Sequence, residues 1–332
     1  MPADISRPPG ARHMSDPSSL TTIPELAGRR VLVVGGGGFI GRHVVAAFRT
    51  AGAAVSVLDI SGPPADITSI DWITGSSADI PLVASSASGC DTVVFLANTS
   101  LPGSSHASFA DEVASHVHAT IRGAETCASV GVAQFIFASS GGTVYGIDSA
   151  EGAPLHEAMP TIPRNAYGVS KLAVEHYLRL IGMARSMRTL SLRISNPYGE
   201  GQRALRGQGF VAAAMQHAMA GTVMPIWGDG TVERDFVHVS DVARAFLLGA
   251  IAAQAGPAVN VGSGSGVALN EILRLVEAAT GRTIRVNYQS DRPIDVRRNV
   301  LDIRRAREEL GWTPQVGLED GLARTAAWWR AQ

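Results

Sequence analysis

Val31-Leu-Val-Val-Gly-Gly-Gly-Gly-Phe-Ile-Gly41 passes from an apolar run, through four glycines, into a helical pattern. The apolar run begins at Arg30 and reads as a buried strand. Beyond the loop, Ile40, Val44, Val45 and Phe48 recur at the spacing of one helix face. Ala53 to Asp59 reads as the next strand. Strand, glycine loop, helix and strand make a βαβ unit, which implies a parallel sheet. The glycines at 35, 38 and 41 stand three apart. Gly35 permits the turn off the strand, Gly38 lets the backbone approach a pyrophosphate, and Gly41 lets the helix pack close to the sheet. The helix N-terminus offers unpaired N–H groups and the positive end of its dipole to that anion. Asp59 closes the second strand, where a carboxylate accepts from both ribose hydroxyls of adenosine and repels a 2′-phosphate. NAD is therefore expected in preference to NADP.

The alternation continues outward from this unit. Thr92 to Ala97, Gln134 to Ala138, Thr189 to Ile194 and Pro257 to Val261 read as buried strands. Helical patterns over Phe109 to Ser129, Tyr167 to Ala184 and Asp241 to Ala253 separate most of them. The expected fold is α/β: a Rossmann-type, doubly wound parallel sheet with a smaller C-terminal α/β substrate domain. After Pro197 the pattern loosens. Glu200 to Gly209 is polar and Gly-rich and reads as a loop over a ligand, followed by a helix at Phe210 to Ala220 and a short strand at Val223 to Trp227. A last α/β portion runs from Leu269 to Trp329. The expected division is a mobile tail over 1–27, an NAD-binding domain over 28–196 plus about 233–265, and a substrate domain over about 197–232 plus 266–330, with the ligand in the cleft between the two.

Bulk properties exclude other classes. At 332 residues and 45% apolar composition the chain is long enough to bury a large core. A net charge of −1 gives no electrostatic footprint for nucleic acid or an anionic membrane. Cys90 and Cys127 are the two cysteines, too few for a disulfide framework, so a reducing cytoplasm is the expected setting. No apolar run approaches the roughly 18 to 20 residues that span a bilayer. The N-terminal stretch lacks the charged start and apolar block of a signal peptide. No metal is expected.

Tyr167 and Lys171 stand four apart at the start of a predicted helix, on one face. A nearby ammonium stabilises phenolate and draws the tyrosine down from about 10, so that it takes a proton from a substrate hydroxyl. With five tyrosines and a single lysine in the chain, this spacing arises by chance in about 1.5% of cases, so a false motif is improbable. Lys171 is the one lysine among 28 basic residues; the other positions are all arginine. Arginine is bulkier, planar and always charged, so a lysine kept at this place alone suggests a site that needs a compact ammonium.

These motifs, with Ser139-Ser-Gly-Gly-Thr-Val-Tyr-Gly146, Arg193-Ile-Ser-Asn-Pro-Tyr-Gly199, Gly228-Asp-Gly through Arg234-Asp-Phe-Val-His238 and Glu309-Leu-Gly-Trp312, resemble the extended short-chain dehydrogenase/reductase family, in its nucleotide-sugar epimerase/dehydratase branch. The resemblance runs from about Arg29 to Trp329. It implies that Tyr167 is the base, that Lys171 also holds the nicotinamide ribose, and that a hydroxyl of the strand-end loop bonds the reacting sugar hydroxyl. Phe39, Ile40, Leu96 and Ala97 join Gly35, Gly38, Gly41 and Asp59 around the cofactor. Many members carry Ser or Thr where this chain has Gly141; Ser140, the preferred candidate, and Thr143 flank it. The family's Asn-Val-x-Gly-Thr is replaced by His116-Val-His-Ala-Thr120, so His116 either bonds near the loop or simply packs. On the substrate side, Asn196 would touch a phosphate, Arg234 and Arg292 the diphosphate, and Trp227 the nucleobase; arginine forks match phosphate oxygens. Asn299 falls where the resemblance implies a pocket for the sugar C2 substituent, and Arg297 and Arg298 lie close enough in sequence to attract a uronic acid carboxylate. A homodimer through Phe109–Ser129 and Tyr167–Ala184 is expected by the same resemblance.

Family chemistry begins with hydride transfer from sugar C4 to NAD. Dehydratases then need an acid and a base, written Thr-Asp-Glu before Val-Tyr-Gly; here Gly141, Gly142 and Thr143 stand there, with no carboxylate. Asp59 disfavours a reductase that consumes NADPH. The expected reaction is therefore NAD-dependent epimerisation at C4 of a nucleotide-diphosphate sugar, of UDP-glucose/UDP-galactose type. The alternatives are a 4,6-dehydratase, a 4-ketosugar reductase, or a non-catalytic NAD-binding sensor.

Overall fold

A computed structural model of the chain describes residues 23–64, 70–98, 108–204, 209–291 and 296–332. In chain order it forms β1 (Arg30–Val34), α1 (Phe39–Thr50), β2 (Ala54–Asp59), β3 (Asp71–Thr74), α2 (Ile80–Ala87) and β4 (Thr92–Phe95). There follow α3 (Phe109–Glu112), a π-helical turn (Val113–His118), α4 (Ala119–Ser129), β5 (Gln134–Ser140), α5 (Ala166–Arg185), β6 (Arg188–Ile194) and β7 (Asn196–Tyr198). The rest is α6 (Phe210–Ala220), β8 (Val223–Trp227), β9 (Glu233–His238), α7 (Val239–Ile251), β10 (Ala258–Val261), β11 (Gly266–Ala268), α8 (Leu269–Thr280), β12 (Arg285–Gln289), β13 (Arg298–Asn299), α9 (Arg304–Leu310) and α10 (Leu318–Arg330).

Seven strands form one sheet in the order β10-β6-β5-β4-β1-β2-β3, and every pairing is parallel. The order reverses direction at β1, where the crevice of a doubly wound sheet lies. The middle strands are apolar at almost every position because both faces are covered. One core packs α1 and α7 on a face with Val44, Phe48, Val242 and Phe246. The other packs α2, α4 and α5 on the opposite face with Val83, Phe135, Val174 and Leu178. Burying each such side chain contributes about 1.5–3 kcal/mol. A four-stranded sheet (β11-β9-β13, with β7 on β9) and the two-stranded β8–β12 pair carry the C-terminal part.

Three boundaries differ from the expected division. The tail does not extend to residue 27: Ile23 donates to the Ala51 carbonyl, and Leu26 is fully buried in the first core. Residues 1–22 lie outside the described residues. Glu233–His238 pairs in the small sheet, not with the large one. Ala306, Leu310 and Trp312 return to the large sheet's core, with the Trp312 indole donating to the Asp241 carbonyl at 2.9 Å. The fourth strand ends at Phe95; Leu96 and Ala97 both donate to the Val34 carbonyl beyond it. The helix expected over Phe109 to Ser129 is interrupted by its π turn, a device that re-aims side chains and is frequent at functional sites. Among the described residues no helix is long and apolar enough to cross a membrane.

Candidate active site

The glycine loop is built as its spacing demands. Gly35 has φ +86°, and a Cβ there would stand 2.7 Å from the Ala97 nitrogen. A Cβ on Gly41 would stand 2.3 Å from the Gly35 carbonyl oxygen, so the loop-to-helix contact admits no side chain. Gly38 caps α1 without a side-chain hydrogen bond, and a Cβ on it would meet only that same carbonyl, at 3.5 Å. Space therefore remains beside Gly38 and the first N–H groups of α1, at Phe39 and Ile40, for an anion. Asp59 Oδ2 accepts from Gly37 N–H at 2.8 Å and Oδ1 from Ser61 N–H at 2.9 Å, which fixes the carboxylate at the rim of the loop. Gly35, Gly38, Phe39, Ile40, Gly41, Asp59, Leu96 and Ala97 thus gather at the C-terminal ends of β1, β2 and β4, with Gly41 buried where the helix meets the loop and Ile40 packed on the first core. This fits a dinucleotide with free ribose hydroxyls.

Across the crevice, α5 starts under an Asn165 cap that accepts from Gly168 N–H. Tyr167 and Lys171 follow on its first turns. Lys171 is buried; its Nζ donates to the Ala138 carbonyl at 2.9 Å and lies 4.6 Å from the Phe137 ring centre and 5.4 Å from that of Tyr167. Burial draws the ammonium down to about 7, while Glu112 and Glu175 pull the other way. The chain's own groups push the Tyr167 phenol above its ordinary value: burial first, then Glu112, opposed by a hydrogen bond with Ser140. This differs from the sequence expectation, in which the ammonium dominated; desolvation of the phenolate outweighs it here. Ser140 is thus the loop hydroxyl that meets the tyrosine. Thr143 Oγ1 is buried without a partner among the described residues, close to the same helix: its carbonyl oxygen is the nearest atom to a Cβ placed on Gly168.

Two buried acids stand around this pair that the sequence reading did not single out. Glu175, one turn beyond Lys171, takes a bidentate grip from Arg193 (2.7–3.1 Å) and a short hydrogen bond from Ser139. Arg193 continues to the Tyr145 hydroxyl at 3.1 Å, and that hydroxyl donates to Asn260 at 2.7 Å, so β5, α5, β6 and β10 are tied by one polar chain. Glu112 ends α3, only 6% exposed. His116, on the π turn, is also buried. Its ring lies 6.4 Å from that of Phe137, and its Nε2 has no partner among the described residues. Burial, with the Lys171 charge beside it, holds the imidazole at about 2, so it is neutral.

On the substrate side, the small sheet brings three expected residues together. Asn196 on β7 donates to the Asp235 carbonyl of β9 at 3.0 Å, and Arg234 on β9 is in register with Asn299 on β13. Asn299 is buried and donates to the Gly141 carbonyl at 3.3 Å, beneath the strand-end loop; its Oδ1 has no partner among the described residues. Trp227 ends β8, 43% exposed, at the edge of the β8–β12 pair. Arg292 lies outside the described residues. Arg298 is engaged by Glu233 (2.8 Å), Ser149 and Ala150, and Arg297 is exposed.

Comparison with known proteins agrees with this geometry. The family model described as NAD dependent epimerase/dehydratase family matches residues 31–262. A dTDP-4-dehydro-6-deoxyglucose reductase of Escherichia coli is 32% identical over 304 residues, covering 88% of this chain and 95% of the relative. A UDP-glucose 4-epimerase of Azospirillum brasilense is 32% identical over 326 residues, covering 91% and 92%. The solved structure of MoeE5 in complex with UDP-glucuronic acid and NAD superposes with a TM-score of 0.84 at 34% identity, covering 91% of this chain and 99% of the other.

Proposed function

Because this chain belongs to the NAD-dependent epimerase/dehydratase family, we propose that it epimerises C4 of a UDP-hexose through a 4-keto sugar. The observation that carries the reading is the meeting of Tyr167, Lys171 and Ser140 at the mouth of the glycine crevice, with no carboxylate on the loop 141–143. Bound NAD supplies the hydride acceptor and donor. Tyr167 takes the proton from the C4 hydroxyl, Ser140 orients that hydroxyl, and Lys171 holds the ribose side of the cofactor while its charge stabilises phenolate. Asn196 and Arg234, with Arg292, grip the diphosphate, and Trp227 packs on the base. The apolar residues left exposed on α3, the π turn and α5 (Phe109, Val113, Val169, Tyr177, Leu180 and Met183) support a homodimer through these helices.

The test is incubation of the purified protein with UDP-glucose and no added cofactor, followed by sugar analysis and by denaturation to identify released nucleotide. The expected results are UDP-galactose and tightly held NAD. A 4-keto-6-deoxy product would make it a dehydratase, a requirement for added reductant a reductase, and released NADP would overturn the role of Asp59.

Substrate breadth follows from Asn299. Its Nδ2 is committed to Gly141, which leaves Oδ1 to accept from the N–H of an acetamido group at C2. UDP-N-acetylhexoses are therefore expected as substrates beside the plain sugars. Asn299→Tyr should shift the ratio of kcat/KM toward plain sugars by about 10- to 200-fold, the range of a lost or gained fit in a pocket. An unchanged ratio removes Asn299 from the pocket.

A further inference from the structure

Two arginines face one cavity where the strands of the large sheet begin. Arg29 immediately precedes β1 and Arg188 opens β6. With Asp91, Gln134 and the end of α7 at Ala250 and Ile251, they line a space of about 460 Å³. This is the end of the sheet away from the glycine loop. β5 carries Gln134 at the cavity and Ser140 beside Tyr167, about 20 Å further along the strand. Arg188 is firmly anchored. Its backbone N–H donates to the Ala133 carbonyl at 2.9 Å, and Nη2 donates to the Gly249 and Ala250 carbonyls at 3.1 and 3.2 Å. Gln134 Nε2 shares the Gly249 carbonyl at 2.8 Å. A cation on the last carbonyls of a helix is an ordinary cap, and that accounts for Nη2. Nη1 is buried and has no hydrogen-bond partner among the described residues. Neither Arg29 nor Arg188 forms an ion pair among those residues. Asp91 shares the cavity, but its Oδ2 accepts from the Arg30 backbone N–H at 2.8 Å. Burial first, and then the Arg29 charge, draw the Arg188 guanidinium below its ordinary value.

Like charges gathered at one cavity without a counter-charge are the makings of an anion site. We propose that this cavity is a second ligand site, separate from the catalytic crevice, and that it takes a phosphate monoester with a hydroxylated body, of the size of a sugar phosphate. The planar forks of Arg29 and Arg188 match phosphate oxygens, and the phosphate supplies the acceptor that the Arg188 guanidinium lacks. The volume is larger than a bare oxyanion needs and falls within the range of small-molecule sites. The Asp91 carboxylate repels a second anionic group and accepts from a hydroxyl, which favours a monoester of a polyol over a dianionic body. Ala133, Ala250 and Ile251 give that body an apolar wall.

Neither the cavity nor its test depends on the reaction at Tyr167. The probes are glucose 6-phosphate, inorganic phosphate and glucose, titrated calorimetrically into the purified holoprotein with excess UDP present to occupy the crevice. Glucose 6-phosphate is expected to bind more tightly than inorganic phosphate, and glucose not at all. Arg29→Ala, at an exposed position where folding is not at stake, should weaken glucose 6-phosphate by about 10-fold or more, the loss of one hydrogen bond to a charged group. Arg188→Gln should weaken it at least as much; where the missing helix cap prevents folding, Arg29→Ala still decides. Arg234→Ala, altered on the substrate side of the crevice, should bind the probe as the unaltered protein does. The proposal is overturned if no phosphate compound binds, if Arg29→Ala binds glucose 6-phosphate undiminished, or if Arg234→Ala abolishes the binding. Equal affinity for inorganic phosphate and glucose 6-phosphate overturns the assignment to a monoester.

Discussion

Tyr167→Phe is expected to lower turnover by about 10²- to 10⁴-fold, the usual contribution of a positioned general base. The ring stays and only the hydroxyl is lost, so folding and NAD content should be unchanged; a parallel measurement of released nucleotide separates chemistry from binding. Lys171→Arg should be nearly as damaging although it conserves charge. Nζ sits buried between the Phe137 ring and the Ala138 carbonyl, and a planar guanidinium is longer and needs partners for five N–H groups. Turnover within a few-fold of normal in either variant would show that the proton leaves by another route.

The second large effect is on stability. Glu175→Ala should cost about 3–5 kcal/mol, because it strands the Arg193 guanidinium in a buried site where side-chain exposure is 7%. Urea unfolding should show a lower midpoint with the slope preserved. The double variant Glu175→Ala with Arg193→Met should lose clearly less than the sum of the two single losses, since it leaves no buried charge unpaired. Additive losses would mean that the pair does not act as a unit.

The route from sequence to these residues was uneven. The glycine spacing and the Tyr–Lys interval were legible because each is a local rule: a turn that excludes Cβ, and two side chains one helical turn apart. Glu175 continues the same interval from Lys171 and could have been found by extending that face another turn. Glu112 could not. A glutamate in Phe109–Ser129 reads as a solvated face, and the π turn that decides which side chains point inward leaves no mark in the apolar periodicity. The third strand, Asp71–Thr74, was missed because it is short and half-exposed, and Asn196–Tyr198 because its partner lies forty residues away on β9. Tertiary pairing made both. Asn299 was placed by resemblance alone, and the structure added the fact on which its chemistry turns, namely which of its two amide atoms is already in use.

The path of the chain between the two sheets has a further consequence. It leaves the large sheet after β6, enters the small one at β7 and β9, returns for β10, leaves again for β11 and β13, and comes back once more with α9 and Trp312. At the crossing point Asp235 is fully buried and accepts from Ser263, Gly264 and Leu301 at once. The halves are consequently laced, not strung. Cutting the chain near residue 196 would remove β10 and leave β6 as an open strand edge, a ready template for aggregation. Such a protein has no detachable cofactor module to lend to another partner. Its two halves therefore fold as one piece, and a variant that severs either of them is expected to lose the other.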